Sequence, residues 1–280
     1  MIHILDLLRI KDWVKNILVL FPLLFSENLN NPIYYFPLLI TFLVFCFISS
    51  IIYILNDLRD IELDKLHPLK KDSKPLASGK ISVINAFLML VILLIISIML
   101  ITFNTKIINH IILYIAISLS YVFFLKKIPY LELFIISFGY LIRIDIGSVS
   151  ININSSYFIL LTTFFISFFF ITSKRLSELN HKFDFKKLTT RDTLKLYSFK
   201  ILDFFSLTSI ILSFFCLTYF AIYKNIYFSP LILGFIIFII RYRKFSLTTI
   251  KAEFPVNLIV KDKLLIFISL FTISYLIFIF

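Results

Sequence analysis

Eight long apolar runs, separated by short charged segments, limit what this sequence can fold into. Each run has 15 to 24 residues, and an α-helix needs about 20 residues to cross the hydrocarbon of a bilayer. Backbone polar groups in lipid must bond within their own segment, so these runs predict membrane-spanning α-helices. The predicted spans cover residues 32–55, 81–103, 107–125, 131–149, 157–173, 201–223, 226–240 and 264–280. A ninth, shorter run at 14–26 contains Pro22 and is counted as a span as well.

Composition and charge are those of a protein embedded in a lipid bilayer. Hydrophobic residues make up 60% of the chain, against about 45–50% in soluble domains. The net charge is +12, yet 25 of the 28 Lys and Arg residues lie in five short segments outside the predicted membrane core. Basic loops mark the cytoplasmic side of a membrane, so this charge predicts orientation and gives no reason to expect nucleic-acid binding. The five segments are residues 1–15, 56–80, 126–130, 174–200 and 241–263.

The charge pattern also fixes the predicted topology. Nine spans with a cytoplasmic N-terminus place all five basic segments inside and the C-terminus outside. Without the span at 14–26, the basic segments would no longer all fall on the same side of the membrane. We therefore predict an all-α polytopic protein of the inner (cytoplasmic) membrane. It has about nine transmembrane helices in a single domain over residues 1–280.

Three carboxylates cluster at the cytoplasmic end of the second predicted span, in the stretch NDLRDIELD. Asp57, Asp60 and Asp64 are spaced i, i+3 and i+7, which places them on one face of a helix. Asn56 is a neighbour of Asp60 at i, i+4. Hard oxygen ligands beside a phosphate substrate are typical of Mg²⁺ sites, so we predict a site for Mg²⁺ or Mn²⁺ here, with the three aspartates as catalytic and metal-binding residues. The alternative is a solvated helix end whose acids pair with basic neighbours.

A basic loop, KLHPLKKDSKPLASGK, follows the acidic stretch directly. Its lysines, among them Lys70 and Lys74, are suited to neutralising phosphate oxygens that a metal does not bridge. Positive loops are also expected from topology alone, so each lysine by itself is weak support. His67 either touches substrate or is simply a loop residue.

Arg143 lies inside the predicted span 131–149. A charged residue at membrane depth is costly and is a functional-site candidate by default. Asp145 is two residues away and so does not face it on a helix. The partner of Arg143 must then come from another helix or from a substrate.

Further polar residues lie where predicted spans meet the cytoplasmic side. Lys15 follows Trp13 and precedes Asn16 at the entry of the first span, where the alternative is an interfacial tryptophan with a lysine reaching for water. Lys174 and Glu178 form an i, i+4 pair, which a plain salt bridge would also explain. The remaining candidates are Tyr121, Lys126, Glu132 and Arg175.

The motifs resemble the UbiA superfamily of intramembrane prenyltransferases, and within it the branch of decaprenyl-phosphate phosphoribosyltransferases. The resemblance covers nearly the whole chain. Its strongest elements are WVKN followed by LLFS, and NDxxDxxxD followed by HPxK and ASG. Weaker matches are Tyr121, Lys126, Arg143 with Gly147, Lys174–Arg175 with Glu178, and Pro255 with Asp262. Lys74 stands where the branch usually has Arg, and Glu132 where it usually has Asp.

This resemblance implies a UbiA-like helical bundle and names the substrates. The reaction would transfer 5-phosphoribose from phosphoribosyl pyrophosphate to a polyprenyl phosphate and release pyrophosphate. Mg²⁺ would be held by the three aspartates, with Glu132 as an acid of a second site. The substrate-binding residues would be Lys15, Asn56, Lys70, Lys74, Tyr121, Lys126, Arg143, Lys174 and Arg175.

Two other functions fit part of the same pattern. A UbiA-type prenyltransferase would move a polyprenyl group from its diphosphate to an aromatic acceptor, but the second paired-Asp motif expected of such enzymes is missing, since Ile136 stands four residues after Glu132. A transporter of a phosphorylated lipid fits less well, because transport sites usually lie near the midplane of internal repeats.

Overall fold

The computed structural model describes all residues except 1, 27, 67–69, 181–191, 225, 226, 228, 250, 251, 253, 254 and 280. All regular structure in the described part is helical. The α-helices are α1 (Ile2–Leu7), α2 (Phe21–Leu24), α3 (Tyr35–Arg59), α4 (Ile61–Leu66), α5 (Lys70–Ser73), α6 (Val83–Ile101), α7 (Ile108–Phe123), α8 (Leu131–Ile151), α9 (Tyr157–Asn180), α10 (Phe199–Lys224), α11 (Ser229–Thr248), α12 (Pro255–Lys261) and α13 (Lys263–Ile279). Short 3₁₀ segments lie at Ile10–Leu20, Pro32–Tyr34, Thr105–Ile107, Leu125–Lys127 and Asp192–Leu196.

Six helical segments of the described chain are long and apolar enough to cross a membrane, and they confirm six predicted spans. They are Pro32–Arg59, Val83–Ile101, Thr105–Phe123, Leu131–Ile151, Tyr157–Asn180 and Phe199–Tyr223. The last two apolar runs form α11 and α13.

The predicted span at 14–26 is not a single α-helix, so the count of nine is approximate. The 3₁₀ segment Ile10–Leu20 leads into the short helix α2. Pro22 lies in the first turn of α2. Backbone N–H groups in a first turn have no acceptor within the helix, so the proline costs no hydrogen bond there.

The chain divides into two compact units, each of which we describe by itself. The N-terminal unit comprises Met1–Leu125 and Ile142–Asn154, and the C-terminal unit comprises Lys126–Leu141 and Ser155–Phe280. Helix α8 therefore contributes its first half to the C-terminal unit and its second half to the N-terminal unit. The single domain over residues 1–280 stays a prediction.

Gly147 in α8 allows the 3₁₀ segment of the N-terminal unit to pack directly on this helix. A Cβ atom at this position would collide with the backbone carbonyl oxygen of Val19 and would lie 3.2 Å from Cγ of Pro22. A residue without a side chain is therefore required at this contact. The close approach fixes the 3₁₀ segment against α8 near Arg143, which lies one turn before Gly147.

Buried polar side chains also link helices of the N-terminal unit. The Thr41 hydroxyl donates to Ser150 Oγ over 2.8 Å, and the Asn104 amide donates to the same oxygen over 3.0 Å. The hydrophobic effect does not drive helices together in lipid, so hydrogen bonds of this kind help to hold them in contact. They join α3, α8 and the turn before α7.

Aromatic packing dominates the C-terminal unit. Phe168 of α9 packs against Phe134 and Phe205, with ring centroids 4.8 and 5.7 Å apart. Tyr242 of α11 packs edge-on against Phe170 at 4.7 Å. Aromatic rings bury large areas in fixed geometries, so they set the separations of α8, α9, α10 and α11.

Candidate active-site residues

The acidic stretch keeps a helical course through its break at Asp60. The Asp60 N–H donates to the Asn56 carbonyl and the Asp64 N–H donates to the Asp60 carbonyl, so the i to i−4 pattern connects α3 with α4. Asp57 and Asp64 consequently reach the same cation, the Lys74 ammonium, at 2.7 and 2.5 Å. This convergence is what the spacing of the two aspartates predicts.

Arg9 belongs to the same cluster, although sequence reasoning did not select it. Its guanidinium donates to Asp57 Oδ1 over 2.6 Å and lies over the Tyr53 ring, 5.0 Å from the centroid. Burial opposes the charge on Arg9, but the adjacent Asp57 carboxylate outweighs it and raises the pKa of the guanidinium above its ordinary value. Arg9 and Asp57 are 48 positions apart in the sequence, so no local spacing could have revealed the pair.

The basic neighbours Arg59 and Lys65 each contact a group other than the three aspartates. Arg59 donates to the Val122 carbonyl, and Lys65 pairs with Glu62 at 2.8 Å. The Asp57 and Asp64 side chains are only 4% and 7% exposed, so the cluster is not a solvated helix end.

The donor set suits a hard divalent cation. Two buried carboxylates already converge on one positive charge, and carboxylate oxygens are the ligands that Mg²⁺ prefers. Within the described residues, no group of three His, Cys, Asp or Glu side chains is placed to hold a metal ion. The shared site of Asp57, Asp60 and Asp64 therefore stays a prediction. The His67 residue and the Lys70 side chain lie outside the described part of the chain.

Arg143 is buried and meets partners from other elements, as its sequence context predicts. Its Nε donates to Asn16 Oδ1 over 2.9 Å, and one terminal nitrogen donates to the Tyr114 hydroxyl over 3.2 Å. The guanidinium also lies over the Phe45 ring at 5.0 Å. Asp145 faces elsewhere and contacts His110 at 2.9 Å. Asn16 and Tyr114 are neutral side chains, and both hydrogen bonds orient the Arg143 guanidinium.

The other candidate side chains of the N-terminal unit lie along the 3₁₀ segment and on the apolar core. Lys15 pairs with Asp12 at 2.6 Å. Trp13 donates from its indole nitrogen to Ser50 Oγ over 3.0 Å, which ties the 3₁₀ segment to α3. Tyr121 is half-buried on the apolar core of the unit.

The C-terminal unit contains a second, buried cluster of charged side chains. Glu132 Oε1 accepts hydrogen bonds from Arg175 Nε and from the Tyr197 hydroxyl, both over 2.8 Å. Arg175 also pairs with Glu178 at 2.6 Å, and Lys174 lies 4.0 Å from Glu178. Burial and the neighbouring Glu132 raise the pKa of Tyr197 above its ordinary value.

The predicted residues near this cluster differ in their ion pairs and in their exposure. Arg175 is held by two carboxylates, which is the setting of a residue that organises the cluster. Lys174 is 39% exposed and lies at the edge of the cluster. Lys126 is half-buried in the 3₁₀ segment Leu125–Lys127 of the same region. Tyr197 was missed by sequence reasoning, since a tyrosine after a basic loop carries no distinctive spacing.

Asp262, the last residue of the weak C-terminal match, ends α12 in an ion pair. Its carboxylate accepts from Arg241 over 2.9 Å and from the Leu265 N–H over 3.0 Å. Burial opposes ionisation, but these hydrogen bonds outweigh it and hold the pKa of Asp262 below its ordinary value. The pair fixes the turn between α12 and α13 to α11.

Comparison with known proteins identifies the family. The model of the UbiA prenyltransferase family matches residues 17–261. The chain belongs to the UbiA prenyltransferase family. With its apolar helices, this membership makes it a multi-pass membrane protein.

Three UbiA relatives are named decaprenyl-phosphate phosphoribosyltransferase. The Corynebacterium glutamicum protein is 37% identical over 61% of this chain and 53% of its own length. The Mycolicibacterium smegmatis protein is 35% identical over 61% of this chain and 55% of its own. The chain thus spans about half the length of these two relatives. The Mycobacterium tuberculosis protein is 31% identical over 84% of this chain and 80% of its own.

Solved UbiA-type structures share the fold. A UbiA homologue from Archaeoglobus fulgidus, bound to DMAPP and Mg²⁺, aligns with a TM-score of 0.72 at 19% identity, over 98% of this chain and 97% of that one. A structure concerning digeranylgeranylglyceryl phosphate synthase aligns with a TM-score of 0.66 at 21% identity, over 99% and 98%. The predicted UbiA-like helical bundle is confirmed.

Proposed function

We propose that this chain is an intramembrane transferase that moves 5-phosphoribose from phosphoribosyl pyrophosphate to a polyprenyl phosphate and releases pyrophosphate. The observation that carries the proposal is the 31–37% identity to relatives from three organisms that all bear the name decaprenyl-phosphate phosphoribosyltransferase. The cluster of two carboxylates and two cations in the N-terminal unit supports it, because it combines groups for a metal with groups for phosphate.

The chemistry asks little of a general base. The nucleophile is a phosphate oxygen of the lipid, which is already anionic at neutral pH. The bond from the anomeric carbon to pyrophosphate breaks, and a bond from that carbon to the lipid phosphate forms. When bound, Mg²⁺ stabilises the negative charge of the leaving pyrophosphate.

The protein side chains have to bring two anionic substrates together. Asp57 and Asp64, with Asp60, hold the divalent cation, and Lys74 neutralises phosphate oxygens that the metal does not reach. Arg143 is the proposed ligand of a further phosphate, since a guanidinium can grip two phosphate oxygens at once. The hydrogen bonds to Asn16 and Tyr114 fix the direction of Arg143 in advance, which lowers the cost of ordering it on binding.

The remaining candidates complete the proposal. Lys15, Asn56, Lys70, Tyr121, Lys126 and Lys174 are proposed to contact substrate. In the C-terminal unit, Glu132 is proposed as an acid toward a second metal, and Arg175 as a phosphate ligand. The buried pairing of Arg175 with Glu132 and Glu178 means that its share in phosphate binding requires a change of partner.

The protein is proposed to lie in the inner membrane with the acidic cluster and the N-terminus on the cytoplasmic side and the C-terminus outside. The distribution of Lys and Arg supports this orientation. A C-terminal reporter that is active only outside the cytoplasm should give signal, and a reporter active only in the cytoplasm should give none. The opposite pair of results refutes the orientation.

The activity is tested by incubating purified protein with phosphoribosyl pyrophosphate labelled in the ribose, polyprenyl phosphate and Mg²⁺. We expect label in the lipid phase, no transfer in EDTA, and partial or full recovery with Mn²⁺. The Asp64→Asn variant serves as the matched inactive control. If the protein ignores phosphoribosyl pyrophosphate but alkylates an aromatic acid with polyprenyl diphosphate, the prenyltransferase alternative is correct.

A further inference from the structure

One ammonium group joins both buried carboxylates of the acidic cluster. Lys74 Nζ lies 2.7 Å from Asp57 Oδ1 and 2.5 Å from Asp64 Oδ2. Arg9 contacts the same oxygen of Asp57 at 2.6 Å. Two positive side chains therefore compensate two negative ones inside a small volume.

The two positive side chains differ in their freedom to move. The Arg9 guanidinium is held by Asp57 and by the face of Tyr53, and its backbone has the left-handed φ of 51° at the start of the 3₁₀ segment. Lys74 lies in the turn after α5, with a flexible four-carbon stem and 19% of its side chain exposed. The Lys74 side chain is more exposed than either carboxylate, and the Arg9 side chain is 26% exposed, so the two cations differ in the length and flexibility of their free stems and not in burial.

The backbone of Lys74 is nevertheless anchored. Leu76, two residues later, is buried in an apolar cluster with Leu7 and Ile54. The Lys74 carbonyl accepts from the Ser78 N–H, and Gly79 completes the turn with a φ of 72°. Rotation of the side chain can thus move Nζ away from the carboxylates while the turn stays in place.

A Mg²⁺ ion held by Asp57 and Asp64 would bind their oxygens at about 2.0–2.1 Å. Lys74 Nζ contacts oxygens of the same two residues at 2.7 and 2.5 Å. Two cations at this separation would repel strongly and would collide, so the metal and the ammonium exclude each other. Arg9 contacts Asp57 Oδ1 and the face of the Tyr53 ring, so it can keep Asp57 in place.

We propose that Lys74 is an exchangeable cation of this site: it neutralises Asp57 and Asp64 until a divalent metal replaces it, and its displaced ammonium then binds substrate phosphate. Arg9 is the positioning residue that holds Asp57 during the exchange. The inference deepens the proposed function, on which it rests. The exchange gives a reason for a lysine within reach of both acids. When the metal displaces the Lys74 ammonium, that ammonium becomes available to phosphate, so metal binding is coupled to phosphate binding.

The first experiment measures Mn²⁺ binding to the full-length protein in detergent without substrates, from the paramagnetic resonance signal of free Mn²⁺. Lys74→Met removes the competitor and should tighten Mn²⁺ binding about tenfold or more, which equals about 1.4 kcal/mol. Lys80→Met is the matched control, because Lys80 is exposed on the same loop and contacts the Asp72 carbonyl. It should change Mn²⁺ affinity less than about twofold, since exposed charges are screened by salt.

The second experiment uses wild-type protein and so does not depend on the folding of a variant. An amine-acetylating reagent is applied with and without Mg²⁺, and modification of Lys74 and Lys80 is quantified by mass spectrometry. Mg²⁺ should raise the modification of Lys74 severalfold and leave Lys80 unchanged. Inorganic pyrophosphate added with Mg²⁺ should protect Lys74 again.

The outcomes separate the exchange from the proposed function. Mn²⁺ binding that is equal or weaker in Lys74→Met, or labelling of Lys74 that ignores Mg²⁺, overturns the exchange alone. Absence of Mn²⁺ binding in every variant overturns the exchange together with the metal assignment. Phosphoribosyl transfer is measured separately and is decided by neither result.

Discussion

Replacing Gly147 by alanine tests how the 3₁₀ segment and α8 are fitted together. The new Cβ would collide with the Val19 carbonyl oxygen, lie 2.9 Å from the Val19 carbonyl carbon and lie 3.2 Å from Pro22 Cγ. The first two atoms are backbone, so no change of rotamer relieves the clash. The 3₁₀ segment has to move away from α8.

The cost has two parts that can be estimated. Overpacking a well-filled interior costs about 1–3 kcal/mol, which exceeds the gain of up to about 1 kcal/mol from replacing glycine by alanine in a helix. The displacement also stretches the 2.9 Å hydrogen bond from Arg143 to Asn16. A buried polar group left without its bond costs about 1–3 kcal/mol more.

Gly234→Ala supplies the matched control in the C-terminal unit. Its Cβ would lie 3.4 Å from Thr272 Cγ2 and 3.6 Å from Ile268 Cγ2, which are ordinary contacts. This variant should be as stable as the wild type or slightly more stable. The same substitution in a helix thus has opposite expected effects at the two positions.

Thermal unfolding in detergent can be followed with a thiol-reactive fluorophore, because Cys46 is buried beside Asn16 in the wild type. We expect a lower unfolding temperature, faster labelling of Cys46 before unfolding, and reduced transferase activity for Gly147→Ala alone. Equal unfolding temperature and equal activity of the two alanine variants would refute the close-packing argument.

Three further predictions concern polar residues. Asp64→Asn should reduce phosphoribosyl transfer about 100-fold or more, because the metal that stabilises the leaving group is lost. Asp72→Asn, at an exposed position of helix α5, should leave the rate within about twofold. A folded Asp64→Asn protein with the wild-type rate contradicts the site. Arg143→Lys should raise KM for a phosphate-bearing substrate despite the retained charge, since an ammonium cannot keep both side-chain bonds and a bidentate grip; unchanged kinetics would remove Arg143 from the site. Tyr197→Phe should lower stability at neutral pH by about 1–3 kcal/mol through the lost bond to a buried carboxylate. Folding raises the pKa of Tyr197, so its contribution to the free energy of unfolding is complete below pH of about 10 and is lost as pH rises further. The stabilities of wild type and Tyr197→Phe should therefore converge in alkali. A stability difference that stays constant with pH would count against this.

Local spacing predicted two relations between candidate residues. The i, i+7 relation of Asp57 and Asp64 predicts that both acids reach one cation, because a helix repeats every 3.6 residues, and the structure places both on Lys74. The two-residue spacing of Arg143 and Asp145 likewise predicts that they face apart. Arg143 does find its partners on other elements.

The partners themselves were beyond the reach of the sequence. Arg9 meets Asp57 across 48 residues, and Glu132 meets Tyr197 across 65. No periodicity connects positions so far apart, so only the packing of helices could pair them. The same packing pairs Arg175 with Glu132, 43 positions away in the sequence.

The sequence by itself determined that the chain is a multi-pass helical membrane protein and where most of its spans lie, because apolar length and backbone hydrogen bonding in lipid leave no other solution. It also determined which polar residues are exceptional, since a charge at membrane depth is conspicuous. Tertiary structure alone decided that the run at 14–26 begins in a 3₁₀ segment, which packs on Gly147, and continues into the short helix α2. It also decided that Lys74, among the lysines of its loop, joins the two acids. Both outcomes depend on which backbones approach each other, and that distance is set by the packing of whole helices.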